Sequence, residues 1–218
     1  MNGSAFTALD WGDVLFLAEA TIRTVLISAI AIAVGSFLGV LLGWILAAGG
    51  FAVRSATIGI LDIFRSVPLL IQLILFDSFI AIAGYPMAAF WSGTIVLSVY
   101  CAALVAMVAR AGIENVGRDM QRASRSLGMS YLQTMRFVVW PIGLRTVFPS
   151  WIGVSLSIVK DSALVSAIGY VELLRASQIL NTKTQESFKI MLLVGLFYFL
   201  ISYPISRWGD RLERRWKQ

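Results

Sequence analysis

Apolar residues fall in long runs along this chain, and the charges gather between them. Thr24 to Val53 holds no charged residue, and Thr57 to Ala83 holds only Asp62, Arg65 and Asp77. Ser78 to Ala109 is again uncharged and is broken only by the turn signal Gly84-Tyr85-Pro86. Thr146 to Val171 contains Lys160 and Asp161 alone, and Ile190 to Ser206 is uncharged and aromatic-rich. A helix needs about 20 apolar residues to cross about 30 Å of hydrocarbon. The pattern therefore predicts an all-α membrane protein of five spans, near residues 20–48, 57–83, 88–110, 147–171 and 189–209. Residues 1–19 would form an external segment, 114–141 a cytoplasmic loop and 210–218 a cytoplasmic tail.

Composition sharpens this. Of 218 residues, 58% are hydrophobic and 14% charged, against about 45–50% and 25% in a soluble domain. The absence of histidine excludes a Ser-His-Asp triad and a His-held metal or haem, and the single cysteine, Cys101, excludes a disulfide framework. No cluster of acids and no nucleophile–base pair points to an integral-membrane enzyme. The net charge of +6 fits membrane-flanking basic residues better than nucleic-acid binding.

Lys and Arg set the orientation. With the C-terminus inside, thirteen basic residues are cytoplasmic and four (Arg23, Arg175, Lys183, Lys189) are external. The N-terminus is then outside. The first 20 residues hold Asp10, Asp13 and Glu19 and no basic residue, so they do not read as a cleavable signal. Gly35, Gly39 and Gly43 share one face of the first span, which suits close helix packing within the chain or between subunits.

The polar stretch from Glu114 to Pro141 reads as a helical hairpin. A helix over 118–127 would end at Gly128 in a left-handed conformation. Ser130 and Gln133 would form a capping box for a second helix, stopped by Pro141. Inside the spans, an ionisable group costs about 2.5–3.5 kcal/mol on insertion scales and is a functional candidate by default. Asp161, Gln72 and Asp77, with Ser157 and Ser162 beside Asp161, are the candidates for a substrate path. Lys160 and Asp161 have a structural alternative as a pair, and Asp62 and Arg65 read first as a structural pair.

The run Ser126-Leu127-Gly128-Met129-Ser130, Gln133, Val138-Val139-Trp140-Pro141 and Leu144-Arg145 resembles the "EAA" loop of ABC importer permeases, most of all the branch importing polar amino acids (histidine, glutamine, arginine and opine types). Four further stretches resemble the same family in order and spacing: Phe64 to Leu73, Arg110 to Ile113, Lys160 to Leu173 and Leu212 to Arg215. The resemblance implies the type I importer transmembrane fold and alternating access. It implies a second permease, two cytoplasmic ATPase subunits and an external substrate-binding protein as partners, besides membrane lipid. No G-x-x-x-x-G-K-[ST] loop is present, so the chain cannot bind ATP by that route. The resemblance implies that a separate ATPase holds ATP and Mg, with no cofactor expected on this chain. The coupling surface implied comprises Arg122, Ala123, Ser124, Leu127, Gly128, Met129 and Ser130.

The departures matter too. The family's loop glutamate falls at Arg122 and its second alanine at Ser124, so docking is expected mainly through packing of Leu127, Gly128 and Met129. Met107 stands where the family usually has glutamate, and Gly153 and Val154 where it has Asn-Glu. The loss of those polar handles favours a heterodimer in which the other permease recognises more of the substrate; a less polar substrate is the alternative. An ATP-independent channel or secondary transporter is the rival class, though the two halves show no convincing inverted repeat.

Overall fold

The structure is a computed structural model and describes residues 9–216. The described residues form helices and connecting turns: α1 Trp11–Ala48, α2 Phe51–Ser66, α3 Leu69–Ile82, α4 Ala89–Asn115, α5 Arg118–Ser126, α6 Tyr131–Thr134, α7 Trp140–Asp161, α8 Leu173–Thr184 and α9 Ser187–Trp216. A π turn, Met135–Val139, joins α6 to α7, and a 3-10 segment, Ser162–Ile168, follows α7. Among the described residues, four stretches are long and apolar enough to cross a membrane: Trp11–Ala48, Ala89–Asn115, Tyr131–Ile168 and Ser187–Trp216.

The stretch 57–83 is not one helix. It lies in α2 and α3, which meet at a 99° bend. Pro68 explains the break: it disfavours helical geometry at Val67, which sits at φ −82° and ψ 129°. The pair counts as a fifth span if both arms are taken together.

Two compact units divide the chain. One comprises the chain up to Ala31, Pro68–Leu97 and Ser157–Ile205; the other comprises Ile32–Val67, Ser98–Leu156 and the chain from Ser206 onward. The core of the first gathers Leu17 and Ala20 with Leu173, Ala176, Leu180, Ile190 and Val194. In the second, Leu46 and Leu61 pack with Ala103 and Ala106. Ile113, Val116, Met135 and Val139 form a further cluster there, at the root of the hairpin.

The glycine stripe of α1 has an internal explanation. A Cβ on Gly35 would lie 2.5 Å from that of Cys101, on Gly39 2.6 Å from that of Val105, and on Gly43 2.6 Å from that of Ala109. The stripe is the bed for α4, and only glycine lets the two backbones come this close. Large apolar side chains meanwhile face outward all over the molecule, among them Phe37, Leu75, Phe79, Phe188 and Leu192. Such a surface suits hydrocarbon as its solvent and would aggregate in water.

Candidate functional site

The hairpin is built by short-range chemistry. Gly117 precedes α5, and the Gln121 amide donates to the Val116 carbonyl at 2.8 Å. At the other end of α5 the chain turns through Gly128 at φ +85°. There the Met129 N–H donates back to the Ser124 carbonyl at 3.3 Å. Ser130 caps the next helix reciprocally: its hydroxyl accepts from the Gln133 N–H at 3.3 Å, and the Gln133 side chain accepts from the Ser130 N–H at 2.8 Å. Gly128, Ser130 and Gln133 thus perform the roles their spacing predicts.

Pro141 does not stop the second helix, contrary to the sequence expectation. The backbone runs on from Tyr131 through the π turn into α7. The Trp140 N–H donates five residues back, to the Met135 carbonyl. That wider turn just ahead of Pro141 accommodates the missing proline N–H and keeps the ring off the preceding carbonyls.

The predicted coupling residues divide into two sets. Arg122, Ala123, Leu127, Gly128 and Ser130 are exposed, and Met129 is half-buried. Ser124 is buried: its hydroxyl donates to the Gln121 carbonyl at 2.9 Å and lies 3.3 Å from that of Thr134. Ser124 therefore braces the two hairpin helices and does not present itself to a partner. Two ties that sequence reasoning missed hold the hairpin to the helices above it. The Trp44 indole donates to the Tyr131 hydroxyl at 3.1 Å. Glu114 accepts from Arg54 at 3.2 Å and from Arg110 at 2.9 Å, joining α2 to α4 just before the hairpin begins.

The candidate path residues lie in the other unit. Ser157 and Lys160 are exposed on α7, and Asp161 ends that helix half-buried. Lys160 and Asp161 are within Coulomb reach of each other but form no ion pair within 4.0 Å. Asp62 and Arg65, by contrast, do pair, at 3.0 Å. Gln72 and Asp77 are half-buried on α3, which packs against the 3-10 segment following Asp161. Ser162 differs from the rest: it is fully buried and donates to the Val159 carbonyl at 2.8 Å, closing the end of the helix and lining no open surface.

Glu172 is the residue whose role sequence reasoning missed. It is fully buried and caps α8, accepting from the Leu174 N–H at 2.7 Å and the Arg175 N–H at 2.8 Å. The Tyr198 hydroxyl donates to it at 3.4 Å, and the neighbouring Leu173 N–H donates to Thr24 at 3.1 Å. Burial pushes its pKa up from the ordinary 4.5 to about 7, against the pull of those donors. An acid placed just before Leu173-Leu174 and a helix is an N-cap signal, available from the sequence. Lys183, near the end of α8, reaches Asp13 at 2.7 Å, and that carboxylate raises the lysine's pKa.

On α7 within the second unit, Gly153 is exposed, and a Cβ there would meet nothing within 4 Å. An apolar crevice of about 260 Å³ in that unit is lined by residues such as Val105, Val108, Val147 and Trp151. Its wall carries no charged group with which to hold a charged solute.

Known proteins share this arrangement. A permease of Rickettsia felis named for glutamine transport, GlnP, is 30% identical over 203 residues, covering 93% of each chain. The glutamine transport system permease protein GlnP of Escherichia coli K12 is 26% identical over 209 residues, 95% of each chain. A crystal structure of an amino acid ABC transporter with histidines superposes with a TM-score of 0.85 and 26% identity, over 96% of this chain and all of that one. The methionine transporter MetNI in inward-facing form shares the fold, with a TM-score of 0.82 at 21% identity over 95% of this chain and 99% of that one. The fold is the type I ABC importer transmembrane fold. Residues 39–218 match the binding-protein-dependent transport system inner membrane components. The chain belongs to that family, as the membrane permease of an ABC importer and not as its ATPase.

Proposed function

We propose that this permease carries a polar amino acid, or a close chemical relative, inward across the bacterial cytoplasmic membrane. Two cytoplasmic ATPase subunits, holding ATP and Mg, grip the hairpin. An external substrate-binding protein delivers the solute. ATP binding rocks the permeases between inward- and outward-open states. The N-terminus lies outside and the C-terminus inside, in line with thirteen basic residues against four. The observation that carries the substrate class is likeness over nearly the whole chain to permeases named for glutamine.

Within the path, Asp161 would meet the substrate's ammonium group. Ser157, Gln72 and Asp77 would offer further polar contacts. Gly153 and Val154 provide no polar side chain, which favours a different, more polar second permease beside this one. The test is purification of the chain from its native membrane in mild detergent, with mass spectrometry of what remains bound. A stoichiometric ATPase and a second, different permease are expected. An intact, transport-active complex without an ATPase would overturn the importer assembly; one with only copies of this chain would overturn the heterodimer.

A further inference from the structure

The hairpin carries a charge distribution that its own folding leaves unmatched. Between Gly117 and Phe137 it holds Arg118, Arg122, Arg125 and Arg136 against a single acid, Asp119. Asp119 comes only to 3.9 Å from Arg122, with both side chains largely in solvent. A pair so exposed neither fixes nor neutralises the arginine. Arg118 and Arg125 are exposed and form no ion pair among the described residues.

These guanidinium groups are gathered around one feature. Arg118, Arg122 and Arg125 line a recess of about 690 Å³, to which Tyr131 and Thr134 also contribute. The recess is preorganised by the Ser124–Thr134 brace and the Ser130–Gln133 box, so a partner would not have to order it. Leu127 and Leu132 stand close by in sequence on either side of the Gly128 turn, 82% and 67% exposed. Arginines beside exposed apolar anchors are the composition of a protein-binding surface. Guanidinium forks pair most strongly with carboxylates, which they bind through two parallel hydrogen bonds.

We propose that the ATPase docking on this hairpin places aspartate or glutamate side chains in the Arg118–Arg122–Arg125 recess, with apolar contacts to Leu127 and Leu132 beside them. This rests on the importer reading and deepens it, because it fixes the sign of charge on the partner's socket. It also adds ion contacts of defined sign to the expectation that packing of Leu127, Gly128 and Met129 makes most of the contact.

The test uses the complex purified from native membranes. ATPase retained per permease is measured as salt rises, for the wild type, for Arg118→Glu/Arg122→Glu/Arg125→Glu, for Arg125→Glu alone, and for the matching lysine variants. Retention by the wild type should fall with salt. The triple reversal should retain roughly tenfold less ATPase or worse at about 150 mM salt. Arg125→Glu alone should show a smaller loss in the same direction, and it serves if the triple variant does not insert. The lysine variants should keep most of the binding. Full, salt-insensitive retention in the reversed variants would overturn the proposal while leaving the importer reading intact. Loss of bound anionic lipid with the ATPase retained would assign the recess to lipid headgroups and overturn it too. A wild-type complex that binds no ATPase would overturn both readings together.

Discussion

The hairpin around Gly128 and the stretch from Asp161 to Glu172 both interrupt long helices, and they are held by different kinds of contact. In the hairpin the decisive bonds span three to five residues: Ser130 with Gln133, and the Met129 N–H to the Ser124 carbonyl. After Asp161 the α-helix tightens into a 3-10 segment, turns at Gly169 with φ +92°, and enters α8 under the Glu172 cap. There the supporting bonds come from far along the chain. Thr24 lies 149 residues from Leu173, and Tyr198 lies 26 from Glu172. Damage to the hairpin should therefore stay local and impair coupling. Damage at Glu172 should loosen its whole unit.

The largest expected effect tests that contrast at Glu172. Replacement by alanine uncaps two N–H groups of α8 and empties a fully buried site. The cost should be about 2–4 kcal/mol, read as a lowered melting temperature of the detergent-purified protein. A change within error would mean that α8 is held by packing alone.

The same side chain should make stability depend on pH. With its pKa at about 7 in the fold and 4.5 ordinarily, Glu172 stays protonated in the folded chain between those values, while the unfolded chain has released its proton. Its contribution is complete below pH 4.5 and is lost as pH rises through about 7. The loss is bounded by about 3 kcal/mol. Melting temperature should fall between pH 5 and pH 8 in the wild type. Glu172→Gln should flatten that fall, because the amide keeps an acceptor for the α8 N–H groups and does not titrate. An unchanged slope in the variant would place the titrating group elsewhere.

Gly128 supplies the opposite profile, a small stability change with a large functional one. At φ +85°, with nothing within 4 Å of a Cβ, an aspartate meets backbone strain and no steric clash. The strain is about 1–2 kcal/mol. Gly128→Asp should insert and melt near the wild type. ATPase activity should persist while substrate uptake in vesicles falls roughly tenfold or more, since the variant adds bulk and negative charge on the surface proposed to meet the ATPase. Wild-type uptake would remove Gly128 from the coupling surface.

Sequence was a good guide where structure is local. Four of the five apolar stretches, which form long helices, the left-handed Gly128 and the capping box all follow from hydropathy and short-range spacing. It was a poorer guide where the outcome depends on geometry added up along a helix or on partners far away. Pro141 should end a helix by its own chemistry, yet the π turn over Met135–Val139 just ahead of it lets the helix pass. The glycine face of α1 was legible as a close-packing surface, but only the position of α4 shows what it packs against. Ser162 and Ser124 looked available by type and proved to be engaged by backbone and hydroxyl partners. Glu172 carried a legible cap signal, but its other partners, Tyr198 on α9 and Thr24 on α1, lie outside any local window.

The smallest expected change in stability is also the sharpest probe of specificity. Gly153 is exposed on α7 and has no neighbour within 4 Å of a Cβ. Nothing in the packing requires glycine there, unlike Gly39, whose Cβ would lie 2.6 Å from that of Val105. Gly153→Asn should leave melting unchanged or raise it slightly, because glycine costs about 1 kcal/mol in a helix interior relative to alanine. If Gly153 marks a polar handle that this permease lacks, the asparagine should shift the ratio of uptake rates among competing polar amino acids by several-fold, leaving ATPase coupling intact. Gly39→Leu, by contrast, should lower the melting temperature by overpacking the α1–α4 contact, at a cost of about 1–3 kcal/mol. An unchanged substrate profile in Gly153→Asn, with wild-type uptake, would show that this face of α7 is open without lining the path and would leave recognition to Asp161 and the second permease.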